Sequence, residues 1–235
     1  MKILVLNPNT STVVTKKIEA SIKRVARSDV EVVVAQIPHG PESLESFYDE
    51  ALAAPYSIEM VKKANDDDFD AIVLAAFCDP SIEALKEISS IPVYGIAETT
   101  YAVATLLGNK FAVLTEKKPK ESVKVHQVRK FGLESRFAGV RALNMGVVEI
   151  AENPEKVKST GIEIARQMIE KDGAEVIIMG CASMAGYADD LEHELNVPVL
   201  DPISITYKVA EGLADLKIKH SKLGLYQVPE PKKMN

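Results

Sequence analysis

The sequence predicts an α/β protein of two similar lobes, each a mainly parallel sheet flanked by helices, with its working site in the cleft between them. Three observations carry this expectation. Short uninterrupted apolar runs (ILVL at Ile3–Leu6, AIVLA at Ala71–Ala75, FAVLT at Phe111–Thr115, EVIIM at Glu175–Met179) alternate with helical periodicity, and strands buried on both faces of a parallel sheet read as runs of this kind. The series of elements runs twice: Ile3 and Phe111 lie 108 residues apart, Cys78 and Cys181 103, and Pro92 and Pro198 106. The only two cysteines of the 235 residues occupy matching places, each just past a strand and ahead of a helical pattern, where ligands meet open α/β sheets.

In chain order, the first strand, Ile3 to Leu6, ends in Asn7-Pro8-Asn9-Thr10-Ser11-Thr12, whose Asn, Ser and Thr offer caps for a helix reaching about Ala26. Val30 to Ala35 is the second strand, and Ile37 to Leu44 is a loop of turn residues. Two helical patterns follow, Ser46 to Ala53 and Ser57 to Asn65, which the sequence separates at Pro55. Asp66-Asp67-Asp68 reads as a solvated turn before the strand at Ala71. After Pro80 come a helix to about Ile88, a short strand at Pro92-Val93-Tyr94 and a helix from Glu98 to Leu107. The second half restarts at Phe111. It continues with a helix (Pro119 to Lys130), a weaker strand (Val140 to Asn144), a long helix (Glu155 to Lys171), the second cysteine strand, a helix, the strand Pro198 to Leu200, and a last helix from Ile203 to Leu216. Two flavodoxin-like lobes result, residues 1–108 and 109–216, with a tail at 217–235 and a C-terminal segment able to cross back to the first lobe. A pseudo-twofold axis relating them would set the two cysteines on opposite walls of one cleft.

Composition narrows the function. Hydrophobic content of 46 %, charged content of 26 %, and 12 each of Gly and Pro belong to an ordinary globular chain. A net charge of −6 argues against nucleic acid, whose phosphates require a basic face. The apolar runs are too short for a membrane span or a signal-peptide core. The cytoplasm is the expected location, and there two cysteines serve as thiols rather than as a structural disulfide. The four histidines (His39, His126, His193, His220) show no metal spacing, and neither a phosphate loop nor a dinucleotide fingerprint is present. No metal and no cofactor is therefore expected.

Two facing thiols suit one reaction in particular. A carbon acid beside a carbonyl is inverted when one group removes its proton from one face and another returns a proton to the opposite face. A helix N-terminus facing each sulfur would lower its pKa from about 8.5, and loop amides with a hydroxyl such as Thr115 would hold the enolate oxygen. Against this stands plain burial, since cysteine is among the most buried residue types. The matching positions in the two halves favour function.

The residues also carry a family resemblance. The first strand followed by NPNTS (Asn7–Ser11), GPESLESFYDEALAAP (Gly40–Pro55), AFCDP (Ala76–Pro80), YGIAE (Tyr94–Glu98), FAVLT, GCASMAG (Gly180–Gly186), VPVLDP (Val197–Pro202) and SKLGLYQVP (Ser221–Pro229) form an ordered set over nearly the whole chain. That set resembles the hydantoin and allantoin racemase branch of the Asp/Glu racemase superfamily. The resemblance implies the two-lobed fold, cofactor-independent racemisation of a 5-substituted hydantoin or allantoin by two thiols, Cys78 and Cys181 as the catalytic pair, and a homo-oligomer.

Further candidates surround the cysteines. Asn9 can donate to a substrate carbonyl or serve its own turn. Ser43 resembles a family position near the ring, or is a turn serine. Asp79 orients Cys78 or caps the following helix. Thr115 meets ligand at its strand end or binds backbone. Ala182 and Ser183 follow the second cysteine and complete the substrate-binding set. Two other functions stay open on the sequence. An aspartate or glutamate racemase would need cationic donors near the cleft, and a non-catalytic metabolite-binding or thiol-redox protein would tolerate loss of both cysteines.

Overall fold

The computed structural model describes residues 1–231, with side chains throughout except at Val147, Val148 and Ala151. The first half runs β1 (Lys2–Asn7), α1 (Thr12–Val25), β2 (Glu31–Gln36), α2 (Phe47–Asp66), β3 (Ala71–Leu74), α3 (Ile82–Ile88), β4 (Val93–Gly95) and α4 (Ile96–Leu107). The second runs β5 (Phe111–Thr115), α5 (Pro119–Lys130), β6 (Phe137–Ala142), α6 (Val147–Glu152), α7 (Pro154–Asp172), β7 (Val176–Met179), α8 (Ala188–Leu195), β8 (Val199–Leu200) and α9 (Pro202–Asp215). The strands form two four-stranded sheets of the same topology, β2-β1-β3-β4 and β6-β5-β7-β8. Every pairing is parallel, with Leu6 opposite Leu74 in one sheet and Leu114 opposite Met179 in the other. β3 and β7, the strands that lead to the cysteines, thus hold equivalent places beside the central strands β1 and β5.

The apolar runs form strands because each is covered on both faces: β3, β5 and β7 are buried along their whole length. The equivalent helices α4 and α9 join the halves. They pack on each other, α9 lies against α1 and β3, and α4 reaches β7. One apolar core therefore runs from Ile3 and Val73 through Tyr101 and Tyr207 to Phe111 and Val176. Phe77, the residue before Cys78, stands edge-on to Tyr101 at 5.4 Å, and Tyr101 meets Phe111 at 5.4 Å. The first cysteine loop is in this way anchored to the second half.

Three expectations need correcting. Pro55 does not divide two helices: α2 is continuous, and both its proline and Ala51, whose carbonyl loses its helical partner, are exposed to solvent, while Ala53, Ser57, Val61 and Ala64 bury the opposite side. The strand expected at Val140–Asn144 begins earlier, at Phe137, and ends at Ala142; only Ala142 of its six residues is buried, and FAGVRA lacks the continuous apolar run of β1, β3, β5 and β7. α6 was not expected, because six residues are too few to establish a helical period.

Candidate active site

Both cysteine loops are built by close packing at strand ends. Gly180 continues β7 and its amide donates to the Leu114 carbonyl at 2.7 Å. A Cβ at Gly180 would lie 2.5 Å from Val113 Cγ1 and 2.6 Å from that carbonyl oxygen, so only glycine lets the chain pass this close before turning to Cys181. The turn continues as a short 3-10 helix, Ala182–Met184. On the other side, Asp79 and Ser81 take left-handed backbone angles (φ 46° and 55°), which Asp adopts at modest cost. The Asp79 carboxylate accepts the Ala97 and Glu98 amides of α4 at 3.0 and 2.8 Å. It braces the Cys78 loop against the start of that helix.

The two loops meet at one small cavity of about 70 Å³ that opens toward solvent. Cys78 and Cys181 both line it, together with Asn9, Ser43, Ala182 and Ser183. Six of the eight residues singled out in the sequence therefore meet. Asn9 accepts from Asn7 Nδ2 (3.0 Å) and the Ser11 amide (2.9 Å) through Oδ1, which leaves its own amide N–H groups for the cavity. Ser43 donates to Glu45 at 3.3 Å. The Ser183 hydroxyl lies 3.0 Å from Cys181 Sγ.

Asp79 and Thr115 do not line the cavity. Asp79 is spent on the α4 cap, the helix after the next strand rather than the helix that follows it in sequence. Thr115 is fully buried and its hydroxyl donates to Glu116 at 2.7 Å. Its neighbour Glu116 faces the cavity instead.

Sequence reasoning missed the residues that give the cavity its charge. Glu116, Lys120, Val123 and Lys124 line it from the end of β5 and from α5. Lys124 is 4 % exposed; its Nζ lies 3.4 Å from the Phe77 carbonyl and 4.6 Å from the centre of the Phe77 ring. Gln127 donates to the same carbonyl at 2.8 Å. The available signal was spacing: Lys120, Val123, Lys124, Gln127 and Val128 share one face of α5, so an apolar or polar partner had to cover the lysines.

The thiols do not have the lowered pKa values expected of helix N-termini. Burial pushes Cys78 well above the ordinary thiol range, and the nearby Glu50 carboxylate adds to this. Burial, reinforced by Glu116, pushes Cys181 up to about 11. The reason is local: Cys181 precedes a 3-10 turn, and Asp79, Pro80 and Ser81 separate Cys78 from α3. What lowers the thiols comes from side chains and one loop amide: Lys124 and Lys120 for Cys78, and the Ser183 hydroxyl and amide with Lys124 for Cys181. Lys17 lies close enough to Cys181 for the two to interact, and burial lowers its own pKa. Glu50 lies near the Cys78 thiol, and burial raises the pKa of its carboxyl.

Among the described residues, no group of three or more His, Cys, Asp and Glu side chains is placed to hold a metal ion, and no helix is long and apolar enough to cross a membrane.

Comparison with known proteins agrees with this architecture. The family model for Asp/Glu/hydantoin racemase matches residues 3–210. A hydantoin racemase of Pseudomonas sp. (strain NS671) is 42 % identical over 99 % of this chain and 93 % of its own length. Two solved structures superpose with a TM-score of 0.94 over 100 % of this chain. One is an allantoin racemase from Pseudomonas fluorescens (33 % identity, 100 % of that chain covered) and the other an allantoin racemase from Klebsiella pneumoniae (31 %, 96 %). With two pseudo-symmetric parallel sheets, paired cysteine loops and kinship over nearly its whole length, the chain belongs to the Asp/Glu/hydantoin racemase family and is a racemase.

Proposed function

We propose that this racemase inverts the C5 carbon of a 5-substituted hydantoin or of allantoin, with Cys78 and Cys181 as its two acid/base groups. The observation that carries the reading is that the only two cysteines line one cavity from equivalent strand ends of two lobes. One sulfur, as thiolate, takes the C5 proton; the electron pair moves into the adjoining carbonyl as an enolate; the other thiol returns a proton to the opposite face. The product leaves the sulfurs with exchanged protonation, ready for the reverse reaction. Asn9 donates to a ring carbonyl, and Ser183 holds Cys181 in place. A cyclic ureide suits the site because its ring acidifies C5 and brings no ammonium to be neutralised. The similar hydantoin and allantoin racemases support the same substrate class. The enzyme works without a cofactor, in the cytoplasm, as a homo-oligomer. Exposed apolar side chains on α2 (Phe47, Tyr48, Leu52) and in the tail (Leu223, Leu225, Val228) support the assembly.

One observation favours a second substrate class. Lys120 and Lys124 in the cavity wall are the kind of cationic donors that a free aspartate or glutamate would need. Optical rotation of L-5-benzylhydantoin, allantoin, aspartate and glutamate, each corrected for spontaneous racemisation, separates the two. Loss of rotation confined to the rings supports the proposal; loss confined to the amino acids rejects it.

A further inference from the structure

We propose that Lys124 is a third catalytic group, a single ammonium that stabilises the ionised sulfur on either wall and the enolate that forms between them. This rests on the two-thiol reading above.

The geometry begins with where Lys124 comes from. It stands on α5, in the second half of the chain, yet its ammonium reaches the carbonyl and ring of Phe77, the residue before Cys78. It lines the cavity with both cysteines. Its direct partners among the described residues are that carbonyl and that aromatic face; no carboxylate pairs with it within 4 Å, and Glu50 acts on it only from farther off. A buried ammonium in such a setting is costly, and an anion arising in the cavity offsets the cost.

The charged groups around the sulfurs point to the same role. Glu50 on α2, Asp79, and Lys120 and Lys124 on α5 face Cys78; Glu116, Lys17 on α1 and Lys124 face Cys181. Lys124 acts on both. During inversion one negative charge passes from the first sulfur through the enolate to the second, so a cation that reaches both walls stabilises it throughout without rearranging.

The test reads the thiols themselves. Alkylation by iodoacetamide is followed against pH in Cys78→Ser and Cys181→Ser proteins carrying Lys124, Lys124→Met, Lys124→Gln or Lys124→Arg, with Lys120→Met for comparison. Lys124→Gln keeps a donor for the Phe77 carbonyl, so it separates charge from packing if Lys124→Met fails to fold. Loss of the charge is expected to slow alkylation of both thiols at pH 8 by about tenfold, one pKa unit. In the two-cysteine protein it is expected to lower kcat on the order of 10²-fold with KM nearly unchanged. Lys124→Arg retains most of both, and Lys120→Met slows Cys78 more than Cys181. Folded Lys124→Gln protein whose two alkylation profiles are unmoved, or move at one thiol only, overturns the proposal. If wild type is inert on every ring while Lys124→Gln still shifts both thiols, the substrate reading fails and the hold of Lys124 on the sulfurs stands.

Discussion

Replacing Gly180 by alanine tests how the fold places the second thiol. The added methyl would sit 2.5 Å from Val113 Cγ1 and 2.6 Å from the Leu114 oxygen, about 1 Å inside the ~3.5 Å at which such atoms rest. Leu114 is central in its sheet and fully buried, so the Gly180–Cys181 turn is the part that yields. Overpacking of this kind costs about 1–3 kcal/mol, and displacing a reacting group by about 1 Å costs on the order of 100-fold in rate. Urea unfolding measures the first and kcat/KM the second. Because the two enantiomers of a racemised substrate are equal in free energy, kcat/KM falls equally in both directions. Deuterium exchange separates the walls: the enantiomer deprotonated by Cys78 keeps its exchange, and the other loses it. Gly212→Ala is the control, since nothing lies within 4 Å of a Cβ there and a helix-interior glycine gives way to alanine with a gain of about 0.5–1 kcal/mol. Gly180→Ala protein with wild-type stability and a rate within about threefold of wild type would refute this account of the loop.

Two more outcomes follow. With Cys181 pushed up to about 11 and Cys78 above that, both thiols are protonated in the free enzyme near neutrality. Because the reactive base is the thiolate, and its population grows about tenfold per pH unit below the thiol pKa, log kcat/KM should climb with a slope near one from pH 6 to 9; a flat or falling profile contradicts the burial of the thiols. Asp79→Ala removes two hydrogen bonds to the first turn of α4; losing such a side-chain cap costs about 0.5–2 kcal/mol, read as a lower urea midpoint. Since Asp79 acts by holding the Cys78 loop, kcat should drop more than KM changes.

Much of this architecture was legible in the chain because β1, β3, β5 and β7 are buried on both faces. ILVL, AIVL, FAVLT and VIIM admit few other readings, and the repeated spacing marked the two halves. β6 was blurred because it is largely half-buried. The division at Pro55 failed because a proline on a solvated helix face loses a bond that water replaces. In the site, the cysteines stood out by their uniqueness and matching positions. Thr115 ends β5 and Asp79 sits in the loop after β3, and a polar residue at such a place can turn inward to brace a loop as readily as outward to a ligand. Lys124 was hidden for a general reason. Lysine on a polar helix reads as solvated, and only the approach of α5 to Phe77 from the other half of the chain buries it.

The most direct test of the two-thiol account follows racemisation and deuterium uptake from D₂O together in Cys78→Ser and Cys181→Ser, starting from each enantiomer of the substrate that wild type racemises. The account predicts that neither variant racemises, and that each exchanges the C5 proton of one enantiomer only, the opposite one in each variant. A variant that racemises near the wild-type rate, or two variants that exchange the same enantiomer, would contradict it.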